Sequence, residues 1–324
     1  MLRATLIYLS KAAWARNMVT KWRFARRAAT RFVAGENLDD ATLAIKALNE
    51  KGMYATADHL GENVPNASEA RAATNLCIEL VEQLHAQGAL ANASVKLSQL
   101  GLQVDYNICL ENVRTIADRA SEYGTFVRMD MEDSPCVDST LRMQRDLSKA
   151  GIRNTGLAIQ AYLYRSESDV RDLLKEGTRI RLCKGAYKEP PHLAFPHKRD
   201  VDANYDRLAK MMIDAACSNG AVISSRDGKS PALVALATHD IRRIEAAREY
   251  AESVGLPKEA LEFQMLYGIR ADLQRQLASE GYPVRVYVPY GRQWYPYFVR
   301  RLAERPANLW FFVSNFLRGQ APSR

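Results

Sequence analysis

Charged and polar side chains recur in this chain where short apolar runs stop. Leu60-Gly61-Glu62 closes the first run, Lys96 lies in the second, Asp130 ends the third and Gln160 falls in the fourth. The fifth reads Arg181-Leu182-Cys183-Lys184-Gly185-Ala186-Tyr187, the sixth ends Thr238-His239, and the eighth holds Tyr287. A charge inside a strand-like run is costly unless an opposite charge or a ligand meets it. One such residue reads most simply as half of a structural ion pair, but a series on successive runs reads as a site. Arg181 and Lys184 beside Gly185 suit close backbone approach to an anionic cofactor. His239 alone more often satisfies a core hydrogen bond; at the end of a run it is also a candidate cofactor contact.

A second cluster lies near the C-terminus. Tyr297, Arg300, Arg301 and Glu304 are spaced i, i+3, i+4 and i+7, so on a helix they share one face. That face could simply be solvated. It could also clamp a substrate carboxylate, because a planar guanidinium matches a carboxylate with two parallel hydrogen bonds. A Tyr295-Pro296-Tyr297 run opens the same helix.

Several chemistries are poorly supported. No His, Asp and Glu cluster has metal-ligand spacing. No G-x-S-x-G elbow is present, and Cys183 sits inside a strand run, where a thiol packs as a small apolar group. Gly228-Lys229-Ser230 lacks the earlier glycine of a phosphate loop, since Ile223 stands there. The 5 cysteines are scattered and form no C-x-x-C pair, which argues against a disulfide framework and for a reducing, cytoplasmic compartment.

A scaffold must bring the run ends together. Strand-like runs fall at 94–97, 126–130, 157–161, 179–183, 233–237, 262–266 and 284–288, with a weaker first one near 54–58. Amphipathic stretches alternate with them, among them Ser68 to Gln87, Asp138 to Ala150 and Asp202 to Asn219, the last two starting on a capping Asp. Gly88, Gly124, Gly151, Gly177, Gly220, Gly255 and Gly281 stand where helices would end. Eight strands alternating with helices predict an α/β protein with a parallel sheet closed into a (β/α)8 TIM-type barrel. A doubly wound open sheet is the runner-up, but no G-x-G-x-x-G follows the first strand. Residues 1–50 read as an N-terminal helical segment packed on a barrel of residues 51–324, the whole forming one domain. Residues 223–230 interrupt the beat and read as a surface loop without a role.

Charge is unevenly spread. Residues 1–35 hold no acid and eight basic residues; without these, 37 of the 45 Lys and Arg remain, against 37 Asp and Glu. This segment could be a transit peptide, a nucleic-acid patch or helices resting on an anionic membrane surface, and its bland reading is a solvated basic face. No nucleic-acid-binding motif follows it, so nucleic acid is not expected as a partner. No stretch approaches the roughly 18 apolar residues of a membrane-spanning helix.

Taken together, these stretches resemble proline dehydrogenase of the short, monofunctional bacterial kind. The resemblance rests on collinear motifs: residues 95–102 (VKLSQLGL), 127–134 (VRMDMEDS), 181–187 (RLCKGAY), 237–240 (ATHD), 262–268 (EFQMLYG), 286–291 (VYVPYG) and 297–305 (YFVRRLAER), with 31–36 (RFVAGE) before them. It implies a distorted barrel preceded by N-terminal helices, noncovalent FAD, and oxidation of L-proline to 1-pyrroline-5-carboxylate with electrons passed to a membrane quinone. It further implies that Arg300, Arg301 and Lys96 hold the proline carboxylate and that Tyr287 and Leu266 pack around the ring. Glu62 would gate the site through Arg300, with Tyr297 and Glu304 in support. Asp130 and Arg181 would be the catalytic pair, and Met131, Gln160, Lys184, Gly185, Ala186, Thr238 and His239 would bind FAD. Tyr287 favours proline, because the hydroxyproline-oxidising branch resembles this family with a smaller polar residue there. A Schiff-base lyase using Lys96 or Lys184 is a further alternative. So is a non-enzymatic membrane or nucleic-acid binding module, suggested only by residues 1–35.

Overall fold

In a computed structural model, which describes residues 29–304, the eight strands are β1 (Tyr54–His59), β2 (Ala91–Val95), β3 (Val127–Met129), β4 (Thr155–Gln160), β5 (Ile180–Cys183), β6 (Val234–Ala237), β7 (Leu261–Leu266) and β8 (Val284–Tyr290). Each pairs in parallel with the next and β8 pairs with β1, so the sheet closes into a barrel in chain order. Helices connect the strands: α2 (Ala67–Ala86), α3 (Tyr106–Glu122), α4 (Val137–Lys149), α5 (Ser166–Lys175), α6 (Lys198–Ser218), α7 (Ile241–Ser253) and α8 (Ala271–Ser279). The seven helix-ending glycines all take positive φ, between 62° and 89°, where a Cβ would be strained.

The distortion of the barrel has a visible cause. Helix α1 (Leu38–Asn49) packs against both β1 and β8, the groove a regular barrel gives to the helix after β8. That last helix, α9 (Trp294–Glu304), instead builds a second apolar cluster with Phe32, Val33, Leu60 and Ile269. Leu60 and Ile269 follow β1 and β7, so α9 lies over the C-terminal ends of the strands.

Three sequence expectations need correction. Strand β2 runs over 91–95 rather than 94–97, because the small residues Asn92 and Ser94 face the lumen: Thr56 Oγ1 donates to Asn92 Oδ1 at 2.6 Å, and Ser94 Oγ to Asp130 Oδ1 at 2.7 Å. Lys96 therefore sits just past the strand. Asp138 and Asp202 are not caps but lie inside α4 and α6, the first entered through the 3-10 turn Ser134–Cys136 and the second beginning after His197.

Residues 223–230 are more than a surface loop. Ser224 Oγ donates to Glu262 Oε2 at 2.6 Å, Arg285 Nη1 donates to Gly228 O at 2.7 Å, and Lys229 Nζ to Tyr123 O at 2.7 Å. Glu262 and Arg285 begin β7 and β8, so this segment closes the floor of the barrel while its tip, Arg226 and Asp227, stays exposed.

Candidate active site

The opposite end of the barrel holds a cavity of about 680 Å³. Lys96, Asp130, Met131, Gln160, Arg181, Lys184, Gly185, Ala186, Thr238, His239, Leu266, Tyr287, Tyr297, Arg300 and Arg301 all line it. The period-2 alternation of the strands explains the convergence: Asp130, Arg181, Gln264 and Tyr287 all turn into the lumen, while Met129, Leu182, Phe263 and Val286 pack outward in the core.

At the base of the cavity the charges interlock. Arg181 Nη1 donates to Asp130 Oδ1 and Tyr287 OH to Asp130 Oδ2, each at 2.6 Å. Lys96 Nζ lies 2.7 Å from both oxygens of Asp58, 3.4 Å from Asp130 Oδ2 and 3.2 Å from Tyr287 OH. Two carboxylates and two cations thus neutralise one another where Lys96 and Arg181 are each 6% exposed. Burial alone would raise the Asp130 carboxyl, but Lys96 and Arg181, with hydrogen bonds from Tyr287 and Ser94, outweigh it and hold Asp130 below the ordinary range. Burial would likewise push Lys96 down, yet Asp58 and Asp130 hold its ammonium above the usual lysine value. Burial and the Asp130 charge raise the Tyr287 phenol well above its usual value.

Above this base, Arg300 meets Glu62 in a forked pair, Nη2 to Oε1 at 2.6 Å and Nη1 to Oε2 at 3.1 Å. Burial opposes the Arg300 charge, and Glu62 more than restores it. Glu62 does not line the cavity itself and reaches it through Arg300. Arg301 stacks its guanidinium 5.0 Å from the Tyr297 ring centroid. Glu304 ends α9, and its side chain lies outside the described residues, as do residues 1–28 of the basic segment.

Along the other wall Lys184 is held by Asp202 Oδ1 at 2.5 Å and Asp240 Oδ2 at 2.7 Å. The Leu266 N–H donates to His239 Nε2 at 2.9 Å, so the neutral ring carries its proton on Nδ1. Gly185 has φ 117°, and a Cβ there would stand 2.4 Å from the Tyr162 ring, so only glycine fits. Cys183 donates to Ile159 O at 3.3 Å, and burial pushes its thiol up to about 12, which leaves no thiolate for nucleophilic chemistry near neutral pH.

Sequence reasoning missed the parts played by Asp58, Gln264 and Asp240. Asp58 had a signal: it lies two residues from Thr56 on one face of β1, and a strand-end lysine needs a buried counter-charge. Among the described residues no cluster of His, Cys, Asp and Glu could hold a metal ion.

Apolar side chains such as Met131, Ala186 and Leu266, several basic residues and buried polar atoms without partners share the cavity lining. Gln160 Oε1 and Arg181 Nη2 have no hydrogen-bond partner among the described residues. Such atoms are expensive unless a ligand meets them.

Comparison with known proteins gives this cavity a context. The proline dehydrogenase family model matches residues 41–313. The chain is 43% identical to a proline dehydrogenase of Deinococcus radiodurans, covering 90% of each chain. It is 38% identical to proline dehydrogenase 2 of Bacillus subtilis, covering 95% of this chain and 96% of the other. Among solved structures, proline utilization A of Bdellovibrio bacteriovorus, inactivated by N-propargylglycine, superposes with a TM-score of 0.78 at 29% identity. That match covers 92% of this chain but 34% of the longer one.

Proposed function

This chain belongs to the proline dehydrogenase family, matching its short members nearly end to end, and on that premise we propose that it oxidises L-proline to 1-pyrroline-5-carboxylate on noncovalent FAD and passes the electrons to a membrane quinone. The observation that carries this reading is a cavity in which the Asp130–Arg181 pair lies beneath the two adjacent arginines of α9. The division into residues 1–50 and a catalytic barrel of residues 51–324 is part of this proposal; of the first segment, the described helix α1 packs on β1 and β8.

The residues present fit a flavin. Gln160 Oε1 and Arg181 Nη2 are buried polar atoms awaiting partners, and Lys184 and Lys198, which share Asp202 and Asp240, line the same cavity. Met131, Gln160, Lys184, Gly185, Ala186, Thr238 and His239 would hold it. When bound, the flavin supplies the acceptor for the hydride that leaves C5 of proline. Arg300 and Arg301 would clamp the substrate carboxylate in planar, charge-assisted hydrogen bonds, with Lys96 below them as a further cation. Tyr287 and Leu266 would pack on the ring and fix which carbon faces the acceptor. The Glu62–Arg300 pair, supported by Tyr297 and Glu304, would close the mouth and exclude water. Asp130, ionised and hydrogen-bonded, would hold Arg181 and Tyr287 in place throughout.

Two alternatives fare worse. A Schiff base needs a neutral amine; Asp58 and Asp130 keep Lys96 protonated, and Lys184 is engaged between the carboxylates of Asp202 and Asp240. For hydroxyproline the site would need room and a polar partner where the Tyr287 ring stands. A peripheral position at the inner face of the membrane would bring the site to its quinone, and the basic residues of 1–35 suit anionic lipid. Among the described residues no helix is long and apolar enough to cross a membrane.

The deciding experiment is spectroscopic. The purified protein should be yellow and bleach when proline is added without oxygen, and a colourless protein would overturn the reading. For the membrane, replacing Arg23, Arg26 and Arg27 by Gln should weaken co-sedimentation with anionic liposomes; unchanged sedimentation removes that part.

A further inference from the structure

At the base of the cavity the lumen stays polar, and one side chain that itself lines the cavity joins the site to the floor. Gln264, on β7 and 4% exposed, accepts a hydrogen bond from Arg181 Nε at 2.7 Å through its Oε1. Its Nε2 donates to Glu262 Oε1 at 2.6 Å. Glu262 is in turn gripped by Arg285, Nε to Oε1 at 2.8 Å and Nη2 to Oε2 at 3.2 Å. Burial would raise Glu262, but Arg285, with hydrogen bonds from Ser224 and Gln264, holds it ionised.

The sense of the Gln264 amide follows from its neighbours. A guanidinium can only donate and an ionised carboxylate can only accept, so the flipped amide would face N–H on N–H and oxygen on oxygen. Arg181 is then fixed at two nitrogens, Nε by Gln264 and Nη1 by Asp130. A planar group held at two corners cannot turn. Its third nitrogen, Nη2, is buried without a hydrogen-bond partner among the described residues, on a side chain that lines the cavity.

The geometry points to Gln264 as a positioning residue: it acts through Arg181, pinning Nε so that Nη2 is kept as a donor for the bound cofactor. This rests on the flavin-dependent reading above. Glu262 and Arg285 anchor the far end, so the orientation of a site residue is set from the floor of the barrel.

The test compares Gln264→Met, which keeps the volume but loses both hydrogen bonds, with Gln264→Glu, which restores an acceptor for Arg181 and, protonated on the oxygen that faces Glu262, a donor to that carboxylate. Rates are taken per bound flavin, so lost folding appears as lost flavin and not as a slow rate. In Gln264→Met the rate of flavin reduction by proline should fall on the order of 10- to 100-fold while KM stays within about twofold, the signature of misplacement and not of weaker binding. The midpoint potential of the bound flavin, measured without proline, should become more negative, because a donor that favours the electron-rich form is loosened. Gln264→Glu should recover most of the rate. The inference is overturned if Gln264→Met matches the parent in rate and potential, if Gln264→Glu does no better than Gln264→Met, or if neither variant retains flavin. Failure of the parent protein to bleach with proline would show in the same assay, and would overturn the underlying reading instead.

Discussion

Glu62 and Arg300 lie 238 residues apart in the chain and meet in two hydrogen bonds over the mouth of the cavity. Neither side chain is fully buried, at 23% and 19% exposed, so solvent screens part of the attraction. The pair is also a competitor, since Arg300 cannot give its full fork to Glu62 and to a substrate carboxylate at once. Glu62→Ala should therefore destabilise the ligand-free protein by about 1 kcal/mol, and a non-oxidisable proline-like carboxylate should raise Tm more than it does in the parent. A smaller Tm increment in the variant would show that Arg300 does not bind the carboxylate.

Asp130 gives an acid-side prediction. Its carboxyl is held below the ordinary value against the cost of burial, chiefly by Lys96 and Arg181. Above the unfolded-state value near 4 the folded chain keeps the charge and its stabilisation; as pH falls through the lower folded value, protonation removes it. Asp130→Asn lacks this contribution at every pH and leaves two buried cations short of a partner. It should cost about 3 kcal/mol at neutral pH, and the Tm gap to the parent should narrow below about pH 4. A gap that stays constant into acid would contradict this.

Much of this arrangement was legible in the sequence. Seven glycines at helix ends and eight apolar runs were enough for the barrel, because helix termination by a left-handed residue is a local event. Charges at run ends were legible because a buried charge needs a reason. What escaped was non-local. Asp202 looked like a cap, but its carboxylate serves Lys184, just past β5, and Lys198 within its own helix. The 223–230 segment looked superficial because nothing in it announces that Glu262 and Arg285, far along the chain, need its Ser224 and Gly228. Gln264 looked like one polar residue in a strand; its meaning lies in the two partners at either end of its amide.

The pH dependence of the reaction has a definite sign. Over the neutral range Asp130 stays ionised, Tyr287 neutral, and Lys96 and Arg300 charged. None of these four changes charge there, so on the proposed mechanism the expected titration is that of the proline amine, which must be uncharged before hydride leaves. The second-order rate of anaerobic flavin reduction should thus rise about tenfold per pH unit below the amine pKa. A flat profile would sink this account.

Substrate choice should turn on Tyr287. Tyr287→Phe keeps the ring but removes the 2.6 Å hydrogen bond to Asp130, so it should lower proline turnover modestly without admitting hydroxyproline. Tyr287→Ser opens space beside the substrate ring and leaves a hydroxyl there. The ratio of kcat/KM for hydroxyproline over proline should rise about tenfold or more in Tyr287→Ser. An unchanged ratio would place the discriminating contact elsewhere.

The barrel floor offers a stability test that leaves the chemistry alone. Gly228 has φ 67°, and a Cβ there would stand 2.6 Å from the Tyr54 ring and 2.8 Å from the Leu90 backbone. The left-handed conformation alone costs a residue with a Cβ about 1–2 kcal/mol, and the overlap with backbone cannot relax by a rotamer change. Gly228→Ala should therefore lower Tm by several degrees. Arg285 keeps its bonds to Ala55 O and Glu262 even when the loop shifts, so the line through Gln264 to Arg181 survives. The rate of flavin reduction per bound flavin should accordingly match the parent. If that rate fell while Tm did not, the loop would be acting on the site rather than closing the floor.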